Sequence, residues 1–553
     1  SSSHNSGGVM RGTVWSIGFR LISFVCTQLT LRWVDPIALG KANIDLELAL
    51  GFVLFLSREG YRLVLSKQWD EALAYNSRRW NVLLAILVWM AWLVYTFEIQ
   101  KRESSILSIQ DFIIAGTLYC FAAILEGWAE PYILRALFEM RLDHKVYAEG
   151  VATVTKTFVT VLLMGLFGSS YYPVSVFGMA QLAYAMAYYL LLRVRVPMKR
   201  RNENMVSNSK VTSELRSQIR LFTMQGLFKH VLTEGDRLIL VILLSHTAEG
   251  SYDKGLYALA SAYGSMVARL LFQPLEENAR LLWSKQASEA TFHTHPATDD
   301  ELARTQRLEE QQQQLYLSYT TLVKLVSYIG LTLAAFGSNY TDILLQLLGG
   351  SSRRAAAPVL GAYCVYTLAM AWNGMTEAFW YATASSRTHV AQLSVIHMMI
   401  GIISYGVLAP QLVLRHGTIG LVMANIVAML LRTIYAIRFA TIYFTGSNGL
   451  LQKHGTISFV LAILPHPMIL IAYLVSYILT KGSCQQFLQR EEEFGLVGQK
   501  LSMEWFRLAG YHVSVGVTCL IGVLSAVVLL ERSYLQTLLT FFRKDHHVKI
   551  KTS

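Results

Sequence analysis

Long apolar stretches alternate with short polar ones from one end of the chain to the other. Each apolar stretch holds about 18–25 residues, and at 1.5 Å of rise per residue that crosses a ~30 Å hydrocarbon core as an α-helix. About fourteen such blocks start near Thr13, Ile44, Trp80, Phe112, Val146, Val174, Leu221, Leu256, Leu315, Ala355, Val390, Gly420, Ile457 and Leu508. The pattern predicts an all-α polytopic membrane protein with about 14 transmembrane helices. The first block runs into Arg32 and then Asp35-Pro36 instead of a small-residue cleavage site, so it reads as a helix and not as a secretory signal.

The polar interruptions divide the chain. A basic segment, "RVRVPMKRRNENMVSNSK", follows the sixth block, and a Glu- and Gln-rich segment, His293 to Gln314, follows the eighth. The expected division is an N-terminal lobe at 1–200, a basic cytosolic linker at 201–220, a C-terminal lobe at 221–450 with a polar loop at 285–314, and a last helical pair with its tail at 451–553. A second polar loop is expected from Lys481 to Glu504, with Glu491, Glu492 and Glu493 as a solvated face.

Composition sharpens this picture. Of the 553 residues 53% are hydrophobic and only 15% charged, well below the roughly 25% charged residues of soluble domains. The alternate loops that include both termini hold about 25 Lys and Arg against about 10 in the others, which predicts cytosolic termini. That bias accounts for the net charge of +12 and leaves a nucleic-acid partner nothing to explain. The ending "KIKTS" places Lys549 and Lys551 in the register of a dilysine retrieval signal of the endoplasmic reticulum. The sequon Asn339-Tyr340-Thr341 lies close to a helix end, where a glycosylating enzyme has poor access.

Charge inside the apolar blocks is the candidate chemistry, because an ion in the bilayer core costs at least ~2.5 kcal/mol and is kept for a purpose. "FKHVLTEGDRLILVILL" packs Lys229, His230, Glu234, Asp236 and Arg237 into one helix, with Lys229, His230, Glu234 and Arg237 along one face. Arg20, Arg58, Arg269 and Arg432 lie on four further blocks. Each arginine alone can be answered by local pairing with a carboxylate or by snorkelling. Together they predict a cavity with surplus positive charge, and the planar guanidinium donor fork suits phosphate or pyrophosphate oxygens. Glu276 and Glu277 follow Pro274, which is expected to end or kink its helix, and read as a structural latch.

No Walker A sequence, HExxH pair or Cys/His cluster with metal spacing occurs, so neither a cofactor nor a metal is expected and ATP-driven pumping is disfavoured. The first predicted luminal loop, "DPIALGKANID", lacks the adjacent acids of a polyprenyl-dependent glycosyltransferase. An enzyme is not expected.

Six stretches together carry a resemblance: "FRLISFVCTQLTLR", "LFLSREGYR", "FKHVLTEGDR", "YDKGLYALASAYGSMVARLLFQPLEENAR", "WNGMTEAFWYATAS" and "GLVMANIVAMLLR". With them the chain resembles the eukaryotic proteins assigned to translocate dolichol-linked oligosaccharide across the endoplasmic reticulum membrane, a branch of the multidrug/oligosaccharidyl-lipid/polysaccharide exporter superfamily. The resemblance implies two six-helix lobes around a central cavity, plus two C-terminal helices, working by alternating access. It also implies a dolichyl-pyrophosphate oligosaccharide as cargo, membrane lipid and N-glycosylation pathway proteins as partners, and a multi-pass location in the endoplasmic reticulum membrane. Arg20, Arg58, Arg269 and Arg432 would then hold the pyrophosphate. Lys229, His230, Glu234, Asp236 and Arg237 would either gate the cavity or, through Asp236 and Arg237, lock helices together. The rival expectation is a non-transporting accessory protein that binds the same lipid and supports N-glycosylation.

Overall fold

The computed structural model describes residues 26, 30, 33–100, 109–139, 142–167, 173–196, 209–244, 248–292, 301–384, 387–446, 459, 461–494 and 502–540. Among them there is no strand, and 10 helices are long and apolar enough to cross a membrane. Arg20, Lys549 and Lys551 lie outside the described residues.

Two compact units divide the chain, Ser1–Leu259 and Ala260–Ser553. The first opens with a short helix, Pro36–Gly40, capped by the Asp35 carboxylate on the Ile37 amide, and a π-helical turn, Lys41–Leu46. Then follow α1 (Glu47–Leu65), α2 (Glu71–Gln100), α3 (Ile109–Phe138), α4 (Leu142–Phe167), α5 (Pro173–Arg195), α6 (Ser209–Thr233), α7 (Gly235–Leu244) and most of α8 (Ala248–Val267). Small residues line their seams, as intramembrane packing requires where apolar faces gain nothing by leaving lipid. Asn81 of α2 lies against Gly127 of α3, where a methyl group would stand 1.9 Å from its Oδ1, and Trp92 lies on Gly116 in the same way at 2.4 Å.

The second unit holds a π-helical turn, Ala268–Phe272, followed by α9 (Gln273–Phe292), α10 (Glu301–Ala335), α11 (Thr341–Gly349), α12 (Ala357–Thr383), α13 (Arg387–Gly446), α14 (Pro467–Glu493) and α15 (Met503–Leu530). Its core is aromatic: Trp283, Tyr319, Phe379, Phe444 and Phe459 are all fully buried, and Trp283 donates to Ser318 Oγ at 3.2 Å. α13 is two helices, because Gly417 takes φ 57° and breaks the run. Its arms fold back on each other, bringing His397 to Arg432 and the backbone of Leu412 against Gly420.

Several sequence expectations change here. The block near Ile44 begins in the π-turn, and the block near Leu221 is interrupted at Glu234, between α6 and α7. Pro274 does not end its helix: a π-turn, Ala268–Phe272, comes just before it, and the helical path continues to Phe292. The loop expected from Lys481 to Glu504 is helical as far as Glu493. Within it Glu492 and Glu493 are exposed, but Glu491 is 2% exposed and its Oε2 lies 3.3 Å from Arg354 Nη1. The acidic run is therefore one buried ion-pair partner followed by two solvated residues.

Candidate functional site

Two charge clusters among the described residues of the first unit bear on the candidate site. Arg58 and Arg62 sit one turn apart on α1 and face Glu126 and Glu130, one turn apart on α3. Arg62 grips Glu130 through both prongs of its fork, Nε to Oε1 at 2.6 Å and Nη2 to Oε2 at 2.8 Å. Arg58 Nη2 donates to Glu126 Oε2 at 3.2 Å, and its Nε lies 3.2 Å from Glu130 Oε2. From α5, Gln181 Nε2 donates to Glu126 Oε1 at 2.8 Å. Two cations against two carboxylates leave no net charge, and charge-assisted hydrogen bonds let both carboxylates stay buried while the Arg58 and Arg62 side chains are 11% and 26% exposed.

The second place gathers the polar stripe read from the sequence. Arg237 bonds Glu234 through Nη1 at 3.0 Å and reaches Glu47 at 3.7 Å, while Lys156 of α4 meets the other Glu47 oxygen at 3.2 Å. Asp236 accepts from Tyr257 Oη of α8 at 2.6 Å. Beside these, Lys254 of α8 donates to both oxygens of Asp45 in the first π-turn, at 2.9 and 2.8 Å, and both residues are buried. His230 stands apart: its ring stacks on Phe55 with centroids 4.3 Å apart and meets Phe52 edge-on, and its Nε2 has no hydrogen-bond partner among the described residues. The Lys229 side chain lies outside the described residues.

In the second unit Arg432 reaches Glu377 Oε2 at 3.4 Å and lies 3.3 Å from His397 Nδ1. Asn373 Nδ2 donates to the same Glu377 oxygen at 3.1 Å, one turn away on α12. Glu276 packs on Gly374, where a methyl group would stand 1.8 Å from its Oε1. Glu277 is exposed and accepts from Gln273 Nε2 at 3.1 Å. Arg269, in the second π-turn, is exposed and bonds only Ser265, its Nη2 to Oγ at 2.9 Å; among the described residues it meets no carboxylate.

Thus Arg58 and Arg432 each arrive with a carboxylate in place, and Arg269 offers an uncompensated guanidinium. Taken singly, Arg58 and Arg432 are each a donor fork whose counter-charge an anionic ligand could replace. Sequence reasoning passed over Asp45, Lys254, Glu47, Lys156, Arg62, Gln181 and His397. The signal for Lys254 is an ammonium directly before the apolar run "GLYALASAY", and the rule that an intramembrane ion has a partner would have sent the search to Asp45.

The family model described as Rft protein matches residues 10–540 of the chain. The Man(5)GlcNAc(2)-PP-dolichol translocation protein RFT1 of Xenopus tropicalis is 27% identical over 560 residues, covering 96% of this chain and 95% of that protein. Its counterpart of the same name in Mus musculus is 28% identical over 464 residues, covering 79% and 82%. Among solved structures, the lipid II flippase MurJ in an inward closed conformation superposes with a TM-score of 0.56 at 11% identity, covering 97% of this chain and 99% of that one. An inward-facing MATE-family multidrug transporter gives a TM-score of 0.51 at 12% identity, covering 77% and 96%.

Proposed function

The chain belongs to the Rft protein family, and on that premise we propose that it is a flippase of the endoplasmic reticulum membrane. It moves a dolichyl-pyrophosphate oligosaccharide from the cytosolic to the luminal leaflet for protein N-glycosylation, by alternating access and without covalent chemistry. The observation that carries this reading is the end-to-end match, 96% of this chain, to a protein named for translocating Man(5)GlcNAc(2)-PP-dolichol. The physical difficulty of that cargo is its head: a pyrophosphate and a glycan cannot enter hydrocarbon without a prohibitive desolvation cost, while the polyprenyl tail stays in lipid.

The residues that meet the pyrophosphate in this proposal are Arg20, Arg58, Arg269 and Arg432. Arg269 engages first, because no carboxylate must be displaced. Arg58 and Arg432 engage by exchanging Glu126 and Glu377 for phosphate oxygens, and the released carboxylates then favour return to the empty state. The stripe of Glu234, Asp236 and Arg237 carries the gating pairs. Both termini face the cytosol, where Lys549 and Lys551 act as the retrieval signal.

The test is purified protein in liposomes containing radiolabelled dolichyl-pyrophosphate oligosaccharide, with leaflet exchange scored by a membrane-impermeant lectin. Exchange that needs the wild-type protein and fails in Arg58→Ala/Arg269→Ala supports the proposal. Binding of the lipid with no exchange above empty liposomes would refute it.

A further inference from the structure

The ion pairs above leave Glu276 unanswered. Its carboxylate, on α9, lies against α12 at Gly374, where a methyl group would stand 1.8 Å from its Oε1. Glu377 comes three residues further along, on the same face of α12. Of the charges that act on Glu276, Glu377 is the stronger and Glu277, next to it on α9, the weaker; both are negative. Among the described residues no cation and no hydrogen-bond donor meets Glu276.

The Glu377 side of this patch offers one counter-charge. Arg432 Nη2 lies 3.4 Å from Glu377 Oε2, while Arg432 Nε donates to His397 Nδ1 at 3.4 Å. A ring nitrogen that accepts belongs to a neutral imidazole, so His397, 4.0 Å from Glu377, adds no second cation. Two carboxyl groups thus face one guanidinium, on helices long and apolar enough to span a membrane, where an unpaired charge is costly. A second observation points the same way. Asn373 is 5% exposed; its Nδ2 donates to Glu377 Oε2 at 3.1 Å, but its Oδ1 has no partner among the described residues. Oxygen acceptors gather here and a donor is missing.

We infer that Glu276 and Glu377 share one exchangeable proton, taken from water, so that this patch of the second unit is a proton-binding site at neutral pH. One carboxyl O–H replaces the repulsion of two like charges and supplies the donor that Asn373 Oδ1 lacks. The side chains of Glu377 and Arg432 are 26% and 22% exposed, which gives the proton a way in and out. A metal ion is the poorer complement: Arg432 already occupies Glu377, and among the described residues no group of three His, Cys, Asp or Glu comes together to hold one. With the proton the patch is neutral; without it the patch carries one negative charge, which opposes an anion approaching Arg432. The inference stands apart from the flippase reading, because it concerns proton binding and is tested without cargo.

The experiment records infrared spectra of the full-length protein in phosphatidylcholine nanodiscs, in sodium-free buffers from mildly acidic to alkaline. An ordinary glutamate, with a pKa of ~4.3, contributes no protonated-carboxyl band at neutral pH. The expected result is such a band at neutral pH that titrates away in alkaline buffer, that Glu276→Gln removes and that Glu277→Gln leaves in place. In Glu377→Gln the like charge is gone and Arg432 is free to attract Glu276, so the midpoint of the band should fall by at least ~1 pH unit. Asn373→Leu should shift the band's frequency, because the O–H loses its acceptor. Glu276→Gln keeps the shape of a protonated glutamate, so its melting temperature at neutral pH should match that of the wild type. A neutral-pH spectrum in which wild type and Glu276→Gln do not differ in this band would overturn the inference. So would a band lost when sodium chloride replaces choline chloride, which would assign the site to sodium.

Discussion

Lys254 and Asp45 make the sharpest test of how the first unit is held together. The pair closes because two glycines let the backbones meet: a methyl group at Gly255 would stand 1.8 Å from the Pro36 carbonyl oxygen, and one at Gly40 would stand 2.7 Å from the Gly255 nitrogen. The Lys254 ammonium then sits 2.8 Å from Asp45 Oδ2 with its side chain 1% exposed. Asp45→Ala removes the counter-charge and leaves a buried cation short of its principal partner, which costs ~3–5 kcal/mol. Lys254→Met strands the carboxylate at a similar cost. The double variant Asp45→Leu/Lys254→Met removes both charges and keeps the volume, so it should lie within ~1–2 kcal/mol of wild type. The assay is equilibrium unfolding of the purified protein in mixed micelles, run as a double-mutant cycle. The reasoning fails if either single variant lies within ~1 kcal/mol of wild type, or if the double loses the sum of the two singles, because the charges would then not be coupled.

Further expectations follow from other contacts. Asn339 is buried, and its amide donates to the Ala335 and Tyr477 carbonyls and to Thr480 Oγ1, so the sequon stays unmodified in the folded chain; endoglycosidase treatment should not shift its mobility. Gly516→Val should destabilise the C-terminal helices by ~1–3 kcal/mol, since even a methyl group there would stand 2.1 Å from Tyr340 Oη; melting temperature reads the effect. Arg432→Lys should weaken function as strongly as Arg432→Ala, because a point-charge ammonium cannot meet Glu377 and His397 from one planar fork; the exchange assay distinguishes the outcomes. Asp342 lies between membrane-spanning helices, and burial raises its carboxyl above the ordinary aspartate range against the pull of Arg354. The folded state then holds this proton more tightly than the unfolded state, so stability falls as pH rises from the ordinary aspartate value through the raised one. Asp342→Asn should flatten that part of the profile of unfolding against pH.

The helices were legible because bilayer thickness dictates their length: a block such as that near Phe112 has to be a span whatever surrounds it. The charge clusters were legible only by type. A sequence shows that Arg58 is out of place in lipid but not which acid answers it, because Glu126 lies many residues away and is brought near only when α1 packs on α3. The same blindness made Glu491 look like one of three solvated acids, since nothing local betrays Arg354 on the facing side. It also hid that the helix runs on through Pro274, next to a π-turn that has no sequence signature of its own. What long-range packing adds, then, is the pairing of each buried ion, and that pairing sets how the protein can work. In the proposed cycle the carboxylates that hold Arg58 and Arg432 must be displaced by the anionic head group, which trades affinity for release. A flippase needs that trade, because a head group bound too firmly on one side of the membrane would never leave on the other.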